Sequence, residues 1–189
     1  MYSRNRVPPE LICAVKRHQV LATRFLLSVG VARQSMRLFE KSKNRPCNAS
    51  FPNYTLRNVY LISTSAYGVG QVMNSKQTPI GLHRVARKIG GGQPIGTVFK
   101  GRRPAGLTWQ GPTDAAIVHR ILWLEGLEPG FNRGGKVDSF NRYIYIHGFG
   151  DETTLGRPFS HGCIHLSATD LIPLFDLLPI GTLVWIAAA

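Results

Sequence analysis

The chain has 189 residues, 43 % apolar and 17 % charged, with 23 Lys+Arg against 10 Asp+Glu and a net charge of +13. That length fits one domain able to bury about two thirds of its unfolded surface, and the apolar content excludes wholesale disorder. Three cysteines (Cys13, Cys47, Cys163) exclude a disulfide-dense scaffold, and no apolar run is long enough for an ordinary membrane-spanning helix.

The charge is unevenly placed. Residues 1–50 carry a net +8, residues 51–103 another +8 without a single acid, and residues 104–189 a net −3. An anionic partner and a merely alkaline, soluble surface both fit such a distribution.

In chain order, residues 1–53 read as a basic leader and linker. Arg4, Arg6, Lys16 and Arg17 precede the apolar run Val20–Ala32, the parts of an export signal, although Arg24 interrupts the run. An amphipathic helix running into the basic stretch Arg33–Arg45 is the alternative. Residues 44–53 have turn composition. A domain boundary is therefore expected between residues 53 and 54, with the first segment dispensable for folding.

From residue 54 onward the pattern is strands and turns. Strands are expected at Asn58–Thr64, Ile117–Leu124, Arg142–His147 and Gly181–Ile186, with turns at Thr78-Pro-Ile-Gly81 and Gly90–Pro94. The best helix follows Ser167, which with Asp170 makes a capping-box-like start before Pro179 and Gly181 stop it. The expected fold is mostly β with one late helix.

The chemistry concentrates in Tyr145-Ile-His-Gly-Phe-Gly150 and Arg157-Pro-Phe-Ser-His-Gly-Cys-Ile-His-Leu166. A thiol is a weak nucleophile until deprotonated, and His147, at the end of an apolar strand, is a candidate base for Cys163. Glycine beside a nucleophile lets a carbonyl approach backbone N–H donors, which points to Gly162 and Cys163 for a developing oxyanion. A buried structural cysteine is the plain alternative. A zinc set made of His147, His161, Cys163 and His165 is another, although these spacings are unlike those of structural zinc sites. A nucleic-acid module would explain the basic first half but would leave His147 and Cys163 without a use.

These motifs resemble the signature of the L,D-transpeptidases, cysteine enzymes that cross-link bacterial peptidoglycan. The resemblance rests on Ile146-His-Gly, Ser160-His-Gly-Cys-Ile164, the Thr78-Pro-Ile-Gly81 turn and the tail Asp170–Val184, and covers roughly residues 54–187. It implies a β-sandwich-like catalytic domain over residues 54–189, with a prominent helix after the nucleophile. It also implies acyl transfer from peptidoglycan tetrapeptide stems with release of terminal D-Ala, in the periplasm or cell envelope. Carbapenem-type β-lactams are the implied covalent inhibitors, and neither cofactor, metal nor nucleic acid is called for. By the resemblance Cys163 is the nucleophile and His147 the base, with Gly148 orienting the imidazole and His161 shaping the site. Ser160, Arg157 and His165 are substrate-contact candidates. His165 stands where the family commonly has Arg, so donor binding is expected to weaken and to depend on pH. Hydrolysis of the same thioester and non-catalytic wall binding are the alternative outcomes, and the amine acceptor stays open.

Overall fold

The computed structural model describes residues 6–43, 51–111 and 117–189. Among them ten strands join in one sheet: β1 (Phe25–Gly30), β2 (Ser35–Lys41), β3 (Tyr54–Leu61), β4 (Gly81–Ile89), β5 (Thr97–Lys100), β6 (Arg103–Leu107), β7 (Val118–Gly126), β8 (Tyr145–Gly148), β9 (Ile164–Leu166) and β10 (Leu183–Ala187). The main path runs β3-β2-β1-β10-β4-β7-β5-β6, and β8 and β9 branch from β7. Two α-helices, α1 (Pro9–Arg17) and α2 (Ala168–Leu177), complete the fold. The mostly β architecture with a helix after Cys163 is as expected.

Alternation along the strands builds the layers. Phe25, Leu27 and Val29 of β1, Leu122 and Leu124 of β7, Ile146 of β8, Ile164 and Leu166 of β9, and Val184 and Ile186 of β10 share one core with Leu171, Leu174 and Phe175 of α2. Their sequence neighbours face the other way. At one end Leu26, Leu82 and Leu183 pack with Leu11, Ala14 and Val15 of α1. At the other, Ile121, Trp123, Tyr145 and Phe99 form an aromatic cluster against which Phe140 and Cys163 lie. Helix α2 begins where its caps require. The Ser167 hydroxyl accepts the Asp170 N–H at 3.2 Å, and a Glu152 carboxylate oxygen accepts the Ala168 N–H at 2.7 Å.

The expected boundary at residues 53/54 is corrected. Strand β1 lies between β2 and β10, parallel to β10 through Leu26↔Leu183 to Gly30↔Ala187, so residues 25–41 belong to the sheet rather than to a leader. Arg24, the residue that breaks the apolar run, sits at the surface and pairs with Glu40 across the hairpin at 2.8 Å. The amphipathic helix of this region is α1, earlier in the chain than Val20–Ala32. Most of the linker at residues 44–53, Cys47 included, lies outside the described residues. Beyond it the chain returns as β3, antiparallel to β2, with Lys41 opposite Tyr54.

Candidate active site

Strands β8 and β9 run parallel, with Ile146 opposite Ile164, His147 opposite His165 and Gly148 opposite Leu166. His147 and His165, opposite one another, share the face away from α2, and Cys163, the residue before β9, packs on that side against the Trp123 and Tyr145 cluster. His147 is 3 % exposed. Its Nδ1 lies 2.7 Å from the Gly148 carbonyl oxygen. A carbonyl only accepts, so Nδ1 carries the proton and Nε2 keeps its lone pair. Burial pushes the His147 pKa down to about 4, against a smaller upward pull from the Gly148 hydrogen bond. The ring is a neutral base at physiological pH.

Gly148 is required by close approach. A β-carbon there would stand 2.5 Å from His119 Cδ2 and 2.8 Å from the Val118 carbonyl oxygen. His119 occupies the β7 irregularity with φ +69, and its Nδ1 accepts the Gly96 N–H at 2.9 Å.

The Cys163 thiol donates to the Tyr143 carbonyl at 3.5 Å. Burial drives its pKa up to about 11, opposed by a backbone hydrogen bond from Tyr145 and by the charge of Arg142. Burial thus works against charge on both the thiol and the imidazole.

The turn before Cys163 is braced from within. Ser160 is fully buried, its hydroxyl donating to the Cys163 carbonyl at 2.6 Å and accepting the Gly162 N–H at 3.2 Å. Two expectations change accordingly. Ser160 is a brace rather than a substrate contact, and the Gly162 N–H is committed to it instead of to an oxyanion. Gly162 is needed for its backbone: φ is +118, and a β-carbon would lie 3.2 Å from the Gln77 carbonyl oxygen.

His165 also departs from expectation. Its ring is 5 % exposed, stacked on Phe149 at 4.7 Å and set edge-on to His147 at 4.8 Å. Its Nδ1 has no hydrogen-bond partner. Burial, then the neighbouring His147 and His161, hold its pKa far below the ordinary imidazole value. A neutral, packed ring is not an anion contact that titrates near neutrality. His161 is exposed and meets the Tyr67 ring at 5.6 Å, at the rim of the turn. The Arg157 side chain is exposed, while its carbonyl accepts the Ser63 hydroxyl at 2.7 Å. Among the described residues no group of three His, Cys, Asp or Glu side chains is placed to hold a metal ion, so the zinc set does not assemble.

Arg142 is a residue that the motifs do not reveal. Its guanidinium donates to the carbonyls of Gly70 (3.0 Å), Gln71 (2.8 Å) and Gln77 (2.6 Å). One half-buried cation thus gathers the segment 70–77, which also meets the Gly162 backbone, and sets a positive charge near Cys163. Partners 65 to 72 residues away leave no local pattern.

The geometry matches a known family. Residues 27–186 fit the YkuD model, the L,D-transpeptidase catalytic domain. The chain belongs to this family. Its fold is similar to the structure of Bdellovibrio bacteriovorus Bd1075, at TM-score 0.56 and 14 % identity over 88 % of this chain and 49 % of that one. It also resembles an L,D-transpeptidase from Mycobacterium smegmatis (TM-score 0.48, 15 % identity, 87 % and 59 % covered). A further similar structure is L,D-transpeptidase 3 from Mycobacterium tuberculosis with a faropenem-derived adduct (0.49, 15 %, 86 % and 60 %). The chain thus spans about half to three fifths of the length of these structures. No curated protein matches it in sequence.

Proposed function

We propose that this L,D-transpeptidase-family chain is an acyltransferase on peptidoglycan stem peptides, working at the cell envelope with Cys163 as nucleophile. The observation that carries the reading is the tautomer of His147. The Gly148 carbonyl accepts a hydrogen bond from Nδ1–H, which leaves Nε2 with its lone pair free to accept a proton.

The steps follow from that arrangement. Cys163 attacks the carbonyl of the third-position diamino acid as Nε2 of His147 accepts the thiol proton. Burial disfavours both the free thiolate and the free imidazolium, which favours proton transfer in step with attack. The tetrahedral oxyanion is met by the Cys163 N–H, the Gly162 N–H being occupied by Ser160. The imidazolium then gives its proton to the departing D-Ala amine, leaving a thioester. An amine acceptor attacks that thioester, His147 takes the amine proton, and the thiolate leaves and is reprotonated.

Incubation with a carbapenem followed by intact mass and peptide mapping tests the reading. One adduct is expected, on Cys163, and none in Cys163→Ala. An adduct that persists in that variant, or maps to Cys13 or Cys47, overturns it. Products from tetrapeptide muropeptides then separate amine transfer from hydrolysis.

A further inference from the structure

The hairpin between β5 and β6 turns at Gly101-Arg102, and Arg102 holds φ +68, a left-handed conformation that side-chain-bearing residues adopt only at a cost. The turn sets the guanidinium over two rings of the site face, Trp123 at 5.1 Å and Tyr143 at 4.9 Å. The neighbouring Tyr145 and Tyr143 side chains favour its charged form. These residues also frame the nucleophile. The Tyr143 carbonyl accepts the Cys163 thiol, the Tyr145 backbone bonds its sulfur, and the Tyr145 ring stands edge-on to His147.

Arg102 is thus placed by the same short stretch that places Cys163. Among the described residues no Asp or Glu forms an ion pair with it, whereas Arg24, Arg57, Arg84 and Arg133 each have one. A second cation, Arg87, lies over Trp123 at 5.4 Å and Phe140 at 5.3 Å, so the platform is positive as well as aromatic. A guanidinium fork carries five N–H donors, and two tyrosine hydroxyls leave most of them to offer. A pre-oriented fork that has no carboxylate partner among the described residues, set on the Trp123 and Tyr143 rings, is suited to a planar anion. His165, buried and stacked, offers no such contact.

We propose that Arg102 binds a carboxylate of the acyl donor and so sets the donor's register over Cys163. This rests on the acyl-transfer reading above. Two carboxylates of a tetrapeptide stem share that chemistry: the C-terminal one and the one on the diamino acid side chain.

The test follows release of the C-terminal residue by the full chain, as D-Ala from a soluble tetrapeptide and from its analogue amidated on the diamino acid side chain, and as D-alaninamide from the analogue amidated at the C-terminus. In the unaltered protein, amidating the carboxylate that Arg102 binds raises KM about tenfold, the worth of one charge-assisted contact. Arg102→Gln raises KM for the free acid by about the same factor and removes the discrimination, so free acid and amide become equivalent. Arg102→Lys keeps part of it. Arg103→Gln, the exposed neighbour on the same turn, keeps all of it. An unchanged discrimination in Arg102→Gln overturns the proposal, and so does a fall in kcat shared by all donors, which marks a role in packing Tyr145. If the unaltered protein releases neither D-Ala nor D-alaninamide from any donor, the acyl-transfer reading fails instead. Calorimetric titration of the three peptides into both proteins then decides Arg102 by the same ratio.

Discussion

The two faces of β8 and β9 are built by opposite rules. Ile146, Ile164 and Leu166 enter the apolar core beneath α2. One residue along the same strands, His147 and His165 line the other face, where Cys163, just before β9, packs beside Tyr145. The core face asks only for apolar volume, which Ile, Leu or Val supply almost interchangeably. The site face asks for particular atoms at particular places: a carbonyl for Nδ1, a missing β-carbon at residue 148, and a hydroxyl under the Cys163 turn. Rigidity on the first face holds tolerances on the second. Damage to the two faces should therefore have different signatures.

The largest effect should come from removing the strands that anchor the core face. A chain starting at Phe51 loses α1, β1 and β2, and with them the buried Phe25, Leu26, Leu27, Val29, Met36, Leu38 and Phe39. Each such side chain contributes about 1.5–3 kcal/mol on burial, so the sum meets or exceeds the ~5–15 kcal/mol by which a domain is stable. No cooperative thermal transition by circular dichroism is expected. A sharp transition in the shortened chain would restore residues 1–53 to the role of a detachable leader.

That reversal shows where the sequence was legible and where it was not. Strand β1 was hidden because Arg24 breaks its apolar run, yet in the fold that arginine only decorates the edge beside Glu40. Strand β4 reads as polar because it carries His83, whose burial is made tolerable by the Gly81 carbonyl at 3.0 Å and the Ser139 hydroxyl at 2.9 Å. The β5–β6 hairpin contains Pro104 and Gly106 and shows no alternation. Residues 145–177 were legible because each element there has a partner nearby: β8 with β9, the Ser167 cap with Asp170, and Gly148 with His147. The hydrogen bonds of Ser160 and the packing of His165 are not legible in the motifs for one reason. Spacing gives the face a residue occupies, not whether its polar atoms are already used.

Next in size, His147→Gln should leave the core face untouched and slow Cys163 acylation by a carbapenem about 10²–10⁴-fold, the usual worth of a placed general base. The melting temperature should move by no more than about 2 °C, since the side chain stays hydrogen-bonded. Loss of activity together with a large fall in melting temperature would mean that the two faces cannot be separated at this position.

A smaller, stability-only effect is expected at His165. An arginine there would bury an unpaired guanidinium between Phe149 and His147, at a cost of about 3 kcal/mol, or roughly 6–12 °C. His165→Phe keeps the stacking, removes the unpartnered Nδ1 and should melt no lower than the unaltered chain. The sign with pH comes from the depressed pKa values of His83, His147 and His165. Unfolded histidines bind protons near pH ~6.5, while the folded ones resist until about pH 4 or below. Stability is therefore complete above about 6.5 and is lost progressively as pH falls toward about 4. Replacing His165 by Phe should flatten that decline in a pH series of thermal melts. An equally steep decline would place the acid sensitivity elsewhere.

The smallest effect separates charge from architecture at Arg142, which serves the site face in two ways. It gathers the carbonyls of residues 70, 71 and 77, and its charge favours the Cys163 thiolate against burial. Arg142→Met removes both contributions. The pH midpoint for alkylation of Cys163 by iodoacetamide should then rise by about 0.5–1 unit, so the rate at pH 8 falls about three- to tenfold. Arg142→Lys keeps the charge but cannot reproduce the fork that reaches several carbonyls at once. Its midpoint should return most of the way, while amide hydrogen exchange in residues 70–77 should stay faster than in the unaltered chain. A loop that merely shields the thiol predicts a different pair of results: the midpoint would track the exchange rate, and Lys would behave like Met. Parallel behaviour of the two variants would therefore remove the electrostatic role and leave Arg142 as a clasp alone.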